Sequence, residues 1–171
     1  IGSGLFAHPL GIKKGIEPSF QMRQLAQNRG LEVIDGIAEQ VPLADQTVDF
    51  VLIVTTICFV DDPIQSLKEV KRILKPGGRV IIGFVDKNSP IGRVYQENKQ
   101  FSSFYRDAHF YSAPDIENLL HNQHFHEIEF VQTLFGELKE MDHVQEYKFG
   151  YGEGSFVVVK GEVSSGTGSS S

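Results

Sequence analysis

The chain has 171 residues, 40% of them apolar and 22% charged, the proportions of one globular domain large enough to bury a core without disulfides or structural zinc. Acids outnumber bases 22 to 16, a net charge of -6, which argues against a broad nucleic-acid binder and favours a small-molecule partner. The single cysteine, Cys58, excludes an intrachain disulfide and points to a cytoplasmic setting, and no run of about 18 apolar residues offers a membrane span.

Short apolar runs alternate with amphipathic stretches, the pattern of βαβ units and a mostly parallel sheet. Gly2-Ser3-Gly4 stands at the start, where glycines let backbone N–H groups approach a ligand at a strand-to-helix turn; a plain turn has the same pattern. A strand over Ile12–Ile16 leads into Glu17-Pro18-Ser19. Ser19 is a good N-cap for a helix with Met22, Leu25 and Ala26 on one face, stopping at Gly30. Glu17 falls at the carboxyl edge of a parallel strand, where open α/β sheets bind ligands. A carboxylate there either accepts the hydroxyls of a ribose or caps the following helix.

Strands over Glu32–Ile34 and Phe50–Val54 bring Gly36-Ile37-Ala38-Glu39 and Thr55-Thr56 to the same side of the sheet. Asp62 and Pro63 open a second helix that turns Ile64, Leu67, Val70, Ile73 and Leu74 inward and ends in Lys75-Pro76-Gly77-Gly78, before a strand over Arg79–Phe84. A polar helix near Gly92–Gln100 is followed by Phe101, Phe104, Tyr105, Phe110 and Tyr111, which either line an apolar pocket or pack onto the sheet. Within this stretch Tyr105, His109 and Tyr111 are the polar handles for a substrate, and His109 is the candidate base.

Ser112 and Asp115 stand in capping-box spacing ahead of Ile116, Leu119 and Leu120, in a helix that gives out near His124. His121, His124 and His126 lack a cysteine or paired acid to complete a tetrahedral set, so no metal is expected. Strands over Glu127–Gln132 and Ser155–Val159 read as an antiparallel edge pair, and the connection from Thr133 to Gly154 as a lid or a dimer contact. Residues 1–161 read as one domain, and 162–171 as a disordered or cloning-derived tail.

The spacing Leu74-Lys75-Pro76-Gly77-Gly78 directly before Val80-Ile81-Ile82-Gly83-Phe84, together with the converging strand edges, resembles the class I S-adenosylmethionine-dependent methyltransferases. Within that family the chain is most similar to the small-molecule branch of ubiquinone/menaquinone type, over about Ile1 to Lys160. The resemblance implies a Rossmann-like, doubly wound, mostly parallel seven-stranded sheet with an antiparallel last strand. Ile1-Gly2-Ser3-Gly4 looks like the second half of the family's glycine-rich motif, which places the first strand upstream of residue 1 and leaves a gap beside the fourth.

The resemblance also implies a cofactor, S-adenosylmethionine, with S-adenosylhomocysteine as product. Gly2 and Gly4, with Ser3 between them, would pass close to its methionine part, and Glu17, followed by Pro18, would hold the ribose hydroxyls. Ala38 would lie by the adenine; Ile37 stands where the family often has an acid, so either Glu39 takes that role or Ile37 packs on the ring. Thr55 and Thr56 would lie near the amino-acid portion and the path of the methyl group, while Asp49 reads as structural. The implied reaction is methyl transfer to a small molecule by in-line displacement, for which proximity and alignment suffice without a triad or metal cluster.

Two other readings fit a glycine loop and a second-strand acid. One is an NAD(P)-dependent oxidoreductase of Rossmann type, which lacks here a complete Gly-x-Gly-x-x-Gly; the other is a non-catalytic S-adenosylmethionine-binding module. The expected partner is a small-molecule methyl acceptor, with no nucleic acid, no membrane, and a monomer or homodimer.

Overall fold

A computed structural model describes residues 4–137 and 144–166, so Gly2 and Ser3 lie outside the described residues. The first strand, β1 (Lys14–Ile16), leads into helix α1 (Phe20–Asn28) and strand β2 (Glu32–Ile34), which pairs parallel with β1. Then come β3 (Val48–Val54), α2 (Pro63–Ile73), β4 (Leu74–Val85), α3 (Pro90–Glu97), α4 (Ala113–Asn122), β5 (His126–Thr133), β6 (Lys148–Phe149) and β7 (Phe156–Glu162). These form a two-stranded sheet β1-β2 and a five-stranded sheet β3-β4-β7-β5-β6. Together they form a Rossmann-like α/β fold, as the resemblance implies, with α2 and α4 packed on the larger sheet. No backbone ladder joins the two sheets among the described residues.

The strand count agrees with the expected seven in number but not in identity, since β6 is an addition and the strand expected upstream of residue 1 is not among those described. The last strand is antiparallel, as expected, but it is no edge. It lies between β4 and β5 and pairs antiparallel with both, with Val157 and Val159 fully buried. A β-branched run suits an interior strand as well as an edge, which is why composition did not separate them. Packing also continues past Gly161: Val163 is buried in the main core and donates its N–H to Gly78 O at 2.9 Å, so the expected tail boundary moves beyond Val163.

Local chemistry sets the helix ends. Ser19 accepts from Met22 N–H, Asp62 from Gln65 N–H with Pro63 at the first turn, and Ser112 and Asp115 form the full capping box of α4. After α2 the run Lys75–Gly78 bulges out of register between Val48↔Leu74 and Phe50↔Arg79. Gly77 adopts φ +74°, and a Cβ on Gly78 would stand 2.7 Å from Lys75 O, so this is the spacing that both glycines satisfy. Leu74 is buried, as expected, but as the first residue of β4; Ile64 and Leu25 are exposed.

Candidate active site

The carboxyl ends of β1, β2 and β3 carry the residues singled out for a cofactor. At the end of β1, Glu17 is buried, 8% exposed, and its Oε1 accepts from Ser19 N–H at 2.8 Å. The helix-capping role is therefore real, and it fixes the carboxylate where the strand ends. Arg23, one turn into α1, donates from Nη1 to Glu17 O (2.8 Å), Pro18 O (2.7 Å) and Asp35 Oδ1 (2.7 Å), clamping the exits of β1 and β2 together. Pro18 is exposed. Gly4 takes φ +74°, and a Cβ there would meet Ala26 and Leu31 at 3.2 Å, so its loop lies tight against α1 and the start of β2.

After β2 the chain turns at Ile37–Gln40, with Gln40 N–H bonded to Ile37 O at 3.3 Å. Ile37 is 47% exposed at this turn, and Ala38 N–H meets no acceptor among the described residues. Glu39 is occupied: its Oε1 accepts from Asp61 N–H (2.9 Å) and Asp62 N–H (3.2 Å), tying this loop to the segment that follows β3. Of the two adenine-side alternatives, the engaged carboxylate is Glu39 and the available surface is Ile37.

At the end of β3, Thr55 holds φ +51°, an unusual conformation for a β-branched residue. Its N–H donates to Gly83 O at 2.8 Å and its carbonyl accepts from Cys58 Sγ at 3.8 Å, which pins it there; Thr56 Oγ1 donates to Val54 O at 2.9 Å.

The aromatic stretch comes to this same end. A cavity of about 30 Å³ is walled by Thr55, Ile57, Cys58, Phe84, Tyr95, Tyr105, Phe110 and Tyr111. Tyr105 stacks on Tyr95 with centroids 5.0 Å apart and meets Phe104 edge-on at 5.0 Å. Burial raises the hydroxyl pKa of both Tyr105 and Tyr111, and it pushes the Cys58 thiol up to about 11, so the thiol is a neutral wall. His109 is outside this cavity. It is exposed, donates its N–H to Cys58 O at 2.7 Å, lies 4.7 Å from the Tyr111 ring, and lines a second cavity of about 320 Å³ with Cys58, Phe59, Val60, Asp61, Asp107 and Tyr111.

Sequence reasoning missed Arg23, Tyr95, Asp61 and Asp107. Tyr95 and Arg23 look like ordinary polar-face residues of α3 and α1, and only the tertiary structure carries them to the site. Among the described residues no group of three or more His, Cys, Asp and Glu could hold a metal, and no helix is long and apolar enough to cross a membrane.

Comparison with known proteins shows the family to which this fold belongs. The Methyltransferase domain family matches residues 1–82. A crystal structure from Thermotoga maritima, a SAM-dependent methyltransferase described as a possible histamine N-methyltransferase, is 50% identical with a TM-score of 0.91, covering 94% of this chain and 78% of that one. An uncharacterized protein of Methanocaldococcus jannaschii is 43% identical over 162 residues, 95% of this chain and 78% of its own. The ubiquinone/menaquinone biosynthesis C-methyltransferase of Rubrivivax gelatinosus is 41% identical over 69 residues, 39% of this chain and 28% of its own. The chain belongs to the S-adenosylmethionine-dependent methyltransferases. It is an enzyme with S-adenosylmethionine as cofactor, which sets aside the oxidoreductase reading.

Proposed function

We propose that the protein transfers a methyl group to a small-molecule acceptor seated against the aromatic segment that ends at Tyr111. The observation that carries this is the meeting of that segment with Thr55: one cavity wall holds both a strand end assigned to the cofactor and Tyr105 and Tyr111. S-adenosylmethionine supplies a methyl group already activated on a sulfonium sulfur, so proximity and alignment are what the protein must add. Glu17 would accept the ribose hydroxyls, its orientation set by Ser19 N–H and its backbone by Arg23. Ala38 N–H would meet the adenine and Ile37 would pack on the ring, while Glu39 holds the loop. The Gly2-Ser3-Gly4 loop and Thr55-Thr56 would enclose the amino-acid end. The aromatic rings would exclude water around the acceptor, and His109, at the mouth, would take a proton when the acceptor must lose one.

The size of the cavity beside His109 and the net charge of -6 support a small acceptor over nucleic acid, and the single cysteine supports a cytoplasmic setting; the protein would act as a monomer or homodimer. A small acceptor is also in keeping with the description of the Thermotoga maritima relative. Calorimetric titration with S-adenosylmethionine, S-adenosylhomocysteine and NAD tests the site assignment. The two sulfur nucleosides are expected to bind and NAD not to, with Glu17→Ala weakening them at least about tenfold through loss of charged hydrogen bonds. Unchanged binding in Glu17→Ala would remove Glu17 from the site.

A further inference from the structure

Two lightly held segments of this site lean on one carboxylate. The turn at Ile37–Gln40 closes on the 3.3 Å bond from Gln40 N–H to Ile37 O, with Ile37 exposed. After β3 the chain makes one 3₁₀ turn, Ile57–Phe59, ending in a long 3.4 Å bond from Val60 N–H to Ile57 O, and runs on to Asp61 and Asp62, both exposed. Glu39 Oε1 bridges the two, accepting from Asp61 N–H at 2.9 Å and Asp62 N–H at 3.2 Å, and Gln65 Nε2 donates to Glu39 O at 3.4 Å. Hydrogen bonds to a charged acceptor are the stronger kind, and these join loops 22 and 23 positions apart in sequence. The bridged segment also builds the acceptor side. Cys58, Phe59, Val60 and Asp61 wall the cavity of about 320 Å³, and Cys58 O accepts from His109 N–H at 2.7 Å, which ties the aromatic segment to the same wall.

We propose that Glu39 is a positioning residue that couples the two sides of the site: cofactor seated on the Ile37–Ala38 turn sets the Phe59–Asp61 wall of the acceptor cavity through the Glu39 carboxylate. The proposal rests on the cofactor site assigned above, because an adenine against Ile37 and Ala38 favours the closed turn over any other arrangement of it. With the turn closed, Glu39 Oε1 meets the N–H groups of Asp61 and Asp62. With it open, those two donors turn to water and the wall is released. Such coupling is reciprocal, so an acceptor packed on Phe59 and Val60 would tighten the cofactor in turn. Glu39 touches no reacting atom and moves no proton.

The single cysteine of the chain reports on this wall from within it. Alkylation of Cys58 by iodoacetamide is timed on the full chain, free and saturated with S-adenosylhomocysteine, after calorimetry has measured binding of the nucleoside to each variant. In the parent the nucleoside is expected to slow alkylation at least about fivefold. In Glu39→Ala at saturation the slowing is expected to fall below about twofold, and Glu39→Gln, which keeps an oxygen for the two N–H groups, is expected to recover most of it. Slowing as large in Glu39→Ala as in the parent would assign the shielding to the nucleoside itself and overturn the proposal while leaving the cofactor site standing, and so would no slowing in the parent. Amide exchange on the parent asks the same question without a variant. The nucleoside is expected to raise protection at Asp61 and Asp62 N–H about fivefold together with Gln40 N–H, and protection confined to the 37–40 turn overturns the proposal. Failure of S-adenosylhomocysteine to bind the parent, seen before any alkylation, counts against the cofactor site and takes the proposal with it.

Discussion

The two sheets of this molecule are held in different ways. Around the five-stranded sheet sixteen buried apolar residues form one cluster, from Ile53 to Val163, sealed by α2 and α4. Around β1 and β2 the corresponding cluster has four, Ala7, Ala26, Leu31 and Val33, and polar links do much of the holding: Arg23 across the two strand exits and Glu39 to Asp61 and Asp62. Yet Glu17 and the Ile37–Glu39 turn belong to the thinner half. The half to which we assign the ribose and the adenine is the one with less apolar surface to hold it, so it is the half expected to open first and to gain most from cofactor binding.

The harshest way to break that contrast is at Gly92, where an added Cβ would run into the backbone carbonyl of Asp86, itself buried. Gly92→Ala is expected to cost about 3 kcal/mol or more in urea unfolding, because backbone at the end of β4 has nowhere to go. A variant as stable as the parent would mean that α3 does not press on β4. A paired truncation sharpens the comparison itself. Leu120→Ala should cost about 3 kcal/mol and lower amide protection throughout the larger sheet, whereas Leu31→Ala should cost about 2 kcal/mol and act on β1 and β2. Equal loss of protection in β4 for both variants would make the two halves one cooperative unit.

The smallest effect concerns Asp115, within the larger half. Burial raises its pKa, but the hydrogen bonds from Lys87 Nζ (2.6 Å) and from Ser112 outweigh it and bring the pKa down to about 2. A carboxylate with a depressed pKa stabilises the fold above its unfolded pKa and loses that contribution as pH falls toward the folded one. With its side chain 41% exposed, the contribution is screened to about 1 kcal/mol. The stability difference between the parent and Asp115→Asn should therefore be constant above about pH 5 and shrink between pH 4 and 2. A difference independent of pH would put the value of Asp115 in its shape alone.

What could be read from the chain was what is local or periodic. The Ser112–Asp115 capping box, the Pro63 helix start and the strand ends carrying Glu17 and Thr55 follow from residue spacing, and each stands where the sequence places it. What could not be read depends on partners far apart in sequence. Nothing near Glu39 says that its carboxylate is taken by the backbone of Asp61 and Asp62, and nothing near Tyr95 says that it stacks on Tyr105. β6 escaped notice because two exposed residues carry no alternation, although Tyr151 just after it packs on Phe130 at 4.8 Å and donates to Glu117 at 2.9 Å. The residues from Thr133 to Gly154, read as a lid or a dimer contact, are anchored at both described ends, by Gln145 on the Phe135 backbone and by Gln132 accepting from Glu153 and Gly154 N–H; residues 138–143 lie outside the described residues.

The place of β7 has a consequence for biosynthesis. Arg79 pairs with Glu162 and His126 with Glu162 as well, so β4 and β5 meet only through a strand translated after both. Until residue 162 has left the ribosome, the nascent chain carries two strand edges, the Val- and Ile-rich one of β4 and that of β5, without the strand that covers them, the kind of surface that invites association between chains. Stalled or shortened products of this message would therefore be expected to aggregate before they could bind a nucleoside.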